Sequence, residues 1–158
     1  MKRLLLILAV ILIALLSACG EPPTVSTEFD ADFAVTQEDI AYKGTLTLSD
    51  GTLSVVFSEP YTVQGMAFNY GADGMRITYA GHETAANCDY IPSKAIPQVL
   101  HNALAYLPQA TYTGSDESGD CFSLPTPYGE ATLTAKDGVP TALDDPHAGL
   151  RFRFIATG

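Results

Sequence analysis

From Glu28 onward the chain alternates, and that rhythm constrains the fold more than any other feature. Phe29, Ala31, Phe33 and Val35 are separated by Asp30, Asp32 and other polar or small residues, the period-two pattern of a strand with one oily and one wet face. The rhythm continues through Ile40, Tyr42, Gly44, Leu46 and Leu48 to a turn at Ser49-Asp50-Gly51, and then through Leu53, Val55 and Phe57 to Glu59-Pro60. Proline lacks a ladder donor and ends that strand. Met66, Phe68 and Tyr70 face Met75, Ile77 and Tyr79 across Gly71-Ala72-Asp73-Gly74, giving a hairpin. Further strands are expected near Ala110 to Thr113, Cys121 to Leu124, Gly129 to Ala135, Pro140 to Leu143 and Leu150 to Ile155. His82-Glu83 and Asp144-Asp145-Pro146-His147 read as turns.

One stretch carries helical spacing. Ile96, Val99, Leu100, Ala103, Leu104 and Leu107 form a single stripe, with Ser93 as a cap, Pro97 in the first turn and Pro108 as the stop. Gln98, His101 and Asn102 fall on the opposite, solvent-facing side. So many one-faced strands need a common cover for their apolar faces, and this helix is the one available. The expected class is mainly β (α+β): a curved antiparallel half-barrel of about 9–10 strands closed by one amphipathic helix.

The N-terminus reads differently. Lys2 and Arg3 precede an uninterrupted apolar run from Leu4 to Leu16, too short to span a bilayer comfortably, and then Leu16-Ser17-Ala18-Cys19. This resembles a bacterial lipoprotein signal, in which cleavage before the cysteine follows transfer of a diacylglyceryl group to its thiol. A plain secretory signal cut nearby is the alternative. The expected divisions are 1–18 signal peptide, 19–27 lipidated Cys19 and tether, and 28–158 the folded domain, with Gly20 to Thr27 unpacked. The resemblance implies an extracytoplasmic protein lipid-anchored to the cell membrane and acting as a monomer. Two acyl chains at about 0.8 kcal/mol per buried CH₂ make such attachment stable.

Removing 18 of 158 residues leaves 140, enough for one domain. Losing Lys2 and Arg3 moves the formal charge from −10 to −12. Nucleic acid is disfavoured as a partner, because phosphate binding needs a basic face. Cys88 and Cys121 remain as a pair in a compartment that permits disulfides. Bonded, they would close a loop of about 33 residues, worth roughly 3.5–4 kcal/mol in the chain-entropy model. A reactive thiol and a metal site are the other readings, the latter without support because His82, His101 and His147 lack ligand spacing. No nucleophile elbow, phosphate-binding glycine loop or i, i+4 histidine pair occurs, so no enzyme, catalytic residue or cofactor is expected.

The closing features that carry a family likeness are Phe29 to Thr36, Gly44 to Leu48, Phe57-Ser58-Glu59-Pro60, Gly65-Met66 and Gly138-Val139-Pro140 through Phe154. Over residues 28 to 157 the chain resembles the LolA/LolB/LppX superfamily of envelope lipoprotein carriers and lipid-binding lipoproteins, although it lacks a helix before the first strand. The resemblance implies a lipid or lipoprotein ligand in a concave cavity. Phe33, Leu46, Val55, Phe57, Met66, Phe68, Met75, Ile77, Leu100, Leu104 and Phe152 are the candidate lining. A filled core uses the same residues, and with it the fold would serve as a protein-docking or sensor module.

Overall fold

The computed structural model describes residues 22–157. The signal segment and Cys19 lie outside the described residues. Eleven strands run in chain order: β1 (Phe29–Gln37), β2 (Ile40–Ser49), β3 (Thr52–Glu59), β4 (Ala67–Gly71), β5 (Gly74–Tyr79), β6 (His82–Ala86), β7 (Thr111–Asp116), β8 (Gly119–Thr126), β9 (Gly129–Lys136), β10 (Val139–Asp145) and β11 (Leu150–Ala156). The helix α1 (Ile96–Leu104) lies between β6 and β7. All strands share one antiparallel sheet in the order β6-β5-β4-β3-β2-β1-β11-β10-β9-β8-β7. Two meanders are thus zipped together by one non-sequential pair, β1 with β11, through Phe33 opposite Phe154. β6 and β7 remain the open edges, so the sheet is a curved half-barrel and not a closed one.

The chain leaves one edge at β6 and returns at the other at β7, and α1 is the crossing. It therefore lies in the trough, where Val99, Leu100, Ala103 and Leu104 are buried with Phe33, Leu46, Phe122, Leu133 and Phe152 in one cluster. The sequence places Gln98 and Asn102 in solvent, but both are buried, at 7 % and 9 % exposure. A helix on a flat sheet has a free back, whereas one inside a curved sheet is flanked. The buried amides stay satisfied: Gln98 Nε2 donates to Asn102 Oδ1 at 3.0 Å, and Tyr70 Oη donates to Gln98 Oε1 at 3.5 Å. The N-cap is Ala95 rather than Ser93, and Leu107 sits in a following 3₁₀ turn, Leu107–Gln109.

The strand missed by sequence is β6. His-Glu-Thr-Ala-Ala is exposed along nearly its whole length and so lacks an apolar face to reveal it. Pairing with β5 and the Arg76 to Glu83 ion pair at 2.8 Å hold it. The tether also differs from expectation. Val25 packs against the core, and the Ser26 amide donates to the Gly138 carbonyl at 2.8 Å. Residues 24–26 are therefore a strap seated on the sheet.

The registers give the molecule two poles. Phe29 pairs with Leu48 at one end of β1, and Gln37 with Ile40 at the other. The β2–β3, β4–β5, β7–β8 and β9–β10 turns, the C-terminal end of α1 and the strap gather at the first pole. The β1–β2, β5–β6, β8–β9 and β10–β11 turns and the start of α1 gather at the second. Gly44 shows how tightly β2 is packed: a Cβ there would collide with the Val56 carbonyl oxygen of the neighbouring strand and fall 2.7 Å from the Phe33 ring. Gly44→Ala is expected to destabilise the fold by about 1–3 kcal/mol through overpacking, read as a lower urea midpoint with unchanged slope.

Candidate functional site

The eleven sequence-predicted lining residues divide into two sets. Phe33, Leu46, Val55, Met75, Leu100, Leu104 and Phe152 are fully buried and packed together, so this part of the trough is core and not cavity. Phe57, Met66, Phe68 and Ile77 instead line an open groove of about 400 Å³ at the second pole. Its floor is aromatic. Phe57 is packed edge-to-face by Phe33, Tyr42 and Phe68, at centroid separations of 5.7, 6.1 and 6.0 Å.

One wall comes from strands β4 and β5, through Phe68 and Ile77. A second is a loop between β3 and β4, a 3₁₀ turn at Tyr61–Val63 that presents Val63 and Met66. Two backbone bonds pin its base: Phe57 N to Met66 O at 3.0 Å and Gly65 N to Phe57 O at 2.8 Å. The third wall is the approach to α1, with Ile91, Pro92, Ala95, Ile96 and Pro97. Gln37 and Tyr42 are the polar side chains in the lining, and Gln37 Nε2 is engaged by the Lys94 carbonyl at 2.9 Å. That bond ties the end of β1 to the segment entering the helix and holds the third wall in place.

Val63, Met66, Phe68, Ile77 and Ile91 are all half-buried. Large apolar side chains left partly in water and converging on one concavity form the kind of surface that gains by covering. Its chemistry is that of contact and desolvation, with no charged group in the lining. Val63 and Ile91 escaped sequence reasoning because they sit in non-periodic segments. The available signal was an apolar residue beside proline in a loop, at Pro60 to Val63 and at Ile91-Pro92.

The cysteines do not form the expected disulfide: Cys88 and Cys121 are free. Cys88, in a 3₁₀ turn after β6, packs against the core. Cys121 alternates with buried Phe122 and Leu124 on the opposite face of β8, its Sγ lying 3.9 Å from Asp116 Oδ2. The two thiols belong to different faces of the sheet, a separation that spacing alone does not reveal.

The histidines are likewise apart. His101 stacks on Tyr70 at 4.3 Å, and His147 stacks on Tyr128 at 4.8 Å. No group of three or more His, Cys, Asp or Glu suited to a metal ion occurs among the described residues. Burial pushes the Tyr70 hydroxyl above its ordinary range, with the neighbouring Cys88 adding to it. Burial also lowers the His101 pKa below its usual value. The unfolded chain then binds a proton at His101 before the folded one does, so stability is complete above about pH 6.5 and falls as pH drops below it. Urea midpoints measured from pH 7.5 to 5 should show this slope, and His101→Phe, which keeps a stacked ring, should flatten it.

No protein-family model and no curated protein sequence matches the chain. Among solved structures the chain is similar to a LolA superfamily protein from Nitrosomonas europaea, with a TM-score of 0.46 and 11 % identity over 83 % of this chain and 84 % of that one. It is also similar to a putative outer membrane lipoprotein-sorting protein domain from Vibrio parahaemolyticus, with a TM-score of 0.40 and 12 % identity over 83 % of each chain. A DUF1329 family protein from Desulfovibrio piger is similar with a TM-score of 0.41 and 11 % identity, over 84 % of this chain and 85 % of that one.

Proposed function

We propose that this protein is a non-enzymatic, lipid-anchored component of the cell envelope that holds a single apolar chain, such as the acyl tail of an amphiphile, in the groove at its second pole. The observation that carries this reading is the groove itself: about 400 Å³, walled by half-exposed Val63, Met66, Phe68, Ile77 and Ile91, with no charge in its lining. That volume lies within the range of small-molecule sites. Met66 adds an unbranched, adaptable wall suited to a flexible guest.

The energetics favour a holder over a trap. Burying about eight methylenes at about 0.8 kcal/mol each contributes roughly 6 kcal/mol, from which the cost of immobilising guest and loop is subtracted. The packed trough beyond the floor limits the guest to a chain end, because Leu46, Val55 and Phe152 leave no room further in. Anchorage through Cys19 would keep the protein at the envelope while the groove exchanges its guest.

The filled trough favours a second reading, in which the same groove receives an apolar side chain of a partner protein. The two are separated by native mass spectrometry and fluorescent fatty-acid titration of the chain from residue 20 onward. A guest in the lipid mass range, and saturable binding abolished by Ile77→Lys with the unfolding free energy in urea kept to within about 1 kcal/mol, are the expected results. A bare mass together with no saturable binding would reject the acyl-chain reading and leave the protein-docking one.

A further inference from the structure

The strap and the groove occupy opposite poles, and their separation is decisive for a chain anchored at Cys19. Cys19 precedes Pro22, the first described residue, by three positions, a reach of at most about 11 Å. The strap that follows is fixed by the Ser26 to Gly138 bond and by Val25 packed against the core, with the Thr24 carbonyl passing close over Gly138. β1 alone then carries the chain nine residues towards the groove, about 30 Å. While the strap is seated, the far end of the groove thus lies about 30 Å along β1 from the point where the tether leaves the domain.

Both poles carry exposed carboxylates, Asp50, Asp73, Glu117 and Asp137 in the hairpin turns of the strap pole and Glu38 and Asp39 in the β1–β2 turn of the groove pole, so charge does not distinguish them. The groove is bordered by the 3₁₀ turn Tyr61–Val63, whose Tyr61 stands at 88 % exposure beside the lining residue Val63, and Tyr90, at 85 % exposure, immediately precedes the lining residue Ile91. Exposed tyrosines of this kind favour a lipid headgroup region, with the ring in apolar surroundings and the hydroxyl wet.

From these observations we infer that the seated strap holds the domain with its strap pole towards the anchoring membrane and its groove away from it, so that the groove takes its apolar chain from a second, facing lipid surface. The inference rests on Cys19 being lipidated and on the groove holding an acyl chain. With the strap released, the roughly ten residues from Cys19 to Phe29 would span about 35 Å, enough to let the tyrosine-bearing pole turn back onto its own bilayer.

The test uses the full chain, processed in a bacterial host and reconstituted into vesicles, in a Cys88→Ala, Cys121→Ser background. A fluorophore is placed at Asp50→Cys or Thr62→Cys, and energy transfer to a headgroup acceptor is read. The label at position 50 is expected close to the headgroups and the label at position 62 some 30 Å further out, a difference that Val25→Asp or Ser26→Pro should collapse. Equal or reversed distances in the parent chain, or strap variants that keep the full difference, would overturn the orientation. A chain that does not remain with the vesicles would overturn it together with the anchor.

In the second readout a fluorescent fatty acid is supplied in the anchoring vesicle or in separate protein-free vesicles. Loading at least several-fold faster from the separate vesicles is expected, and equal or faster loading from the anchoring bilayer would overturn the inference. Silence in both arms with the distances intact would refute the acyl-chain reading and this loading route while leaving the orientation standing.

Discussion

Burial of α1 on more than one side is the constraint on which the other features depend. A nine-residue helix is too short to persist by itself, and the inward face of the sheet has no other continuous cover. Because the helix connects the two open edges, β6 and β7, it is drawn across the trough as the chain closes. Two meanders that pair only through β1 and β11 thereby share one core, with Phe122 of β8 and Val55 of β3 in the same cluster as Leu100. The polar residues on the back of the helix follow from the same geometry. Once flanked, Gln98 and Asn102 need each other and Tyr70 as partners, and every buried side-chain nitrogen and oxygen among the described residues has one.

A mismatch of lengths explains why the groove lies where it does. Nine helical residues cover about 14 Å, whereas nine residues of β1 extend about 30 Å. The helix cannot roof the whole trough. At its C-terminal end the 3₁₀ turn Leu107–Gln109 and the strap complete the cover, with Leu107 buried and Val25 packed beneath it. At its N-terminal end the approach through Ile91 and Pro92 leaves the cover incomplete, and the half-buried walls Met66, Phe68 and Ile77 meet solvent above buried Phe57.

Much of this architecture was readable from alternation alone. Eight of the eleven strands, β1 to β5, β8, β9 and β11, follow period-two runs, and Ile96 to Leu104 follows a helical stripe, because burial on one face imposes its period on the residue types; β7 and β10 were placed by the turns around them. β6 was not readable, since an edge strand exposed on both faces has no such imprint. The strap was missed for the complementary reason: one valine and one backbone amide seat it, and neither has a pattern. The candidate lining was readable only as large apolar residues on the inward face. Whether Phe152 ends in packed core and Ile77 at a groove wall depends on how far the helix reaches, which no residue of either strand encodes.

The incomplete cover has an energetic consequence. Val63, Met66, Phe68, Ile77 and Ile91 retain part of the hydrophobic driving force unspent, so any guest that covers them adds to the stability of the folded state. At a hundred times its dissociation constant a guest contributes about 2.7 kcal/mol by mass action. The strap works on the same helix from the other end, where its cover is covalently part of the chain and needs no second molecule. One end of the trough is closed intramolecularly and the other is left uncovered, so on the proposed function the site of exchange is set by the difference between a tethered cover and a free one.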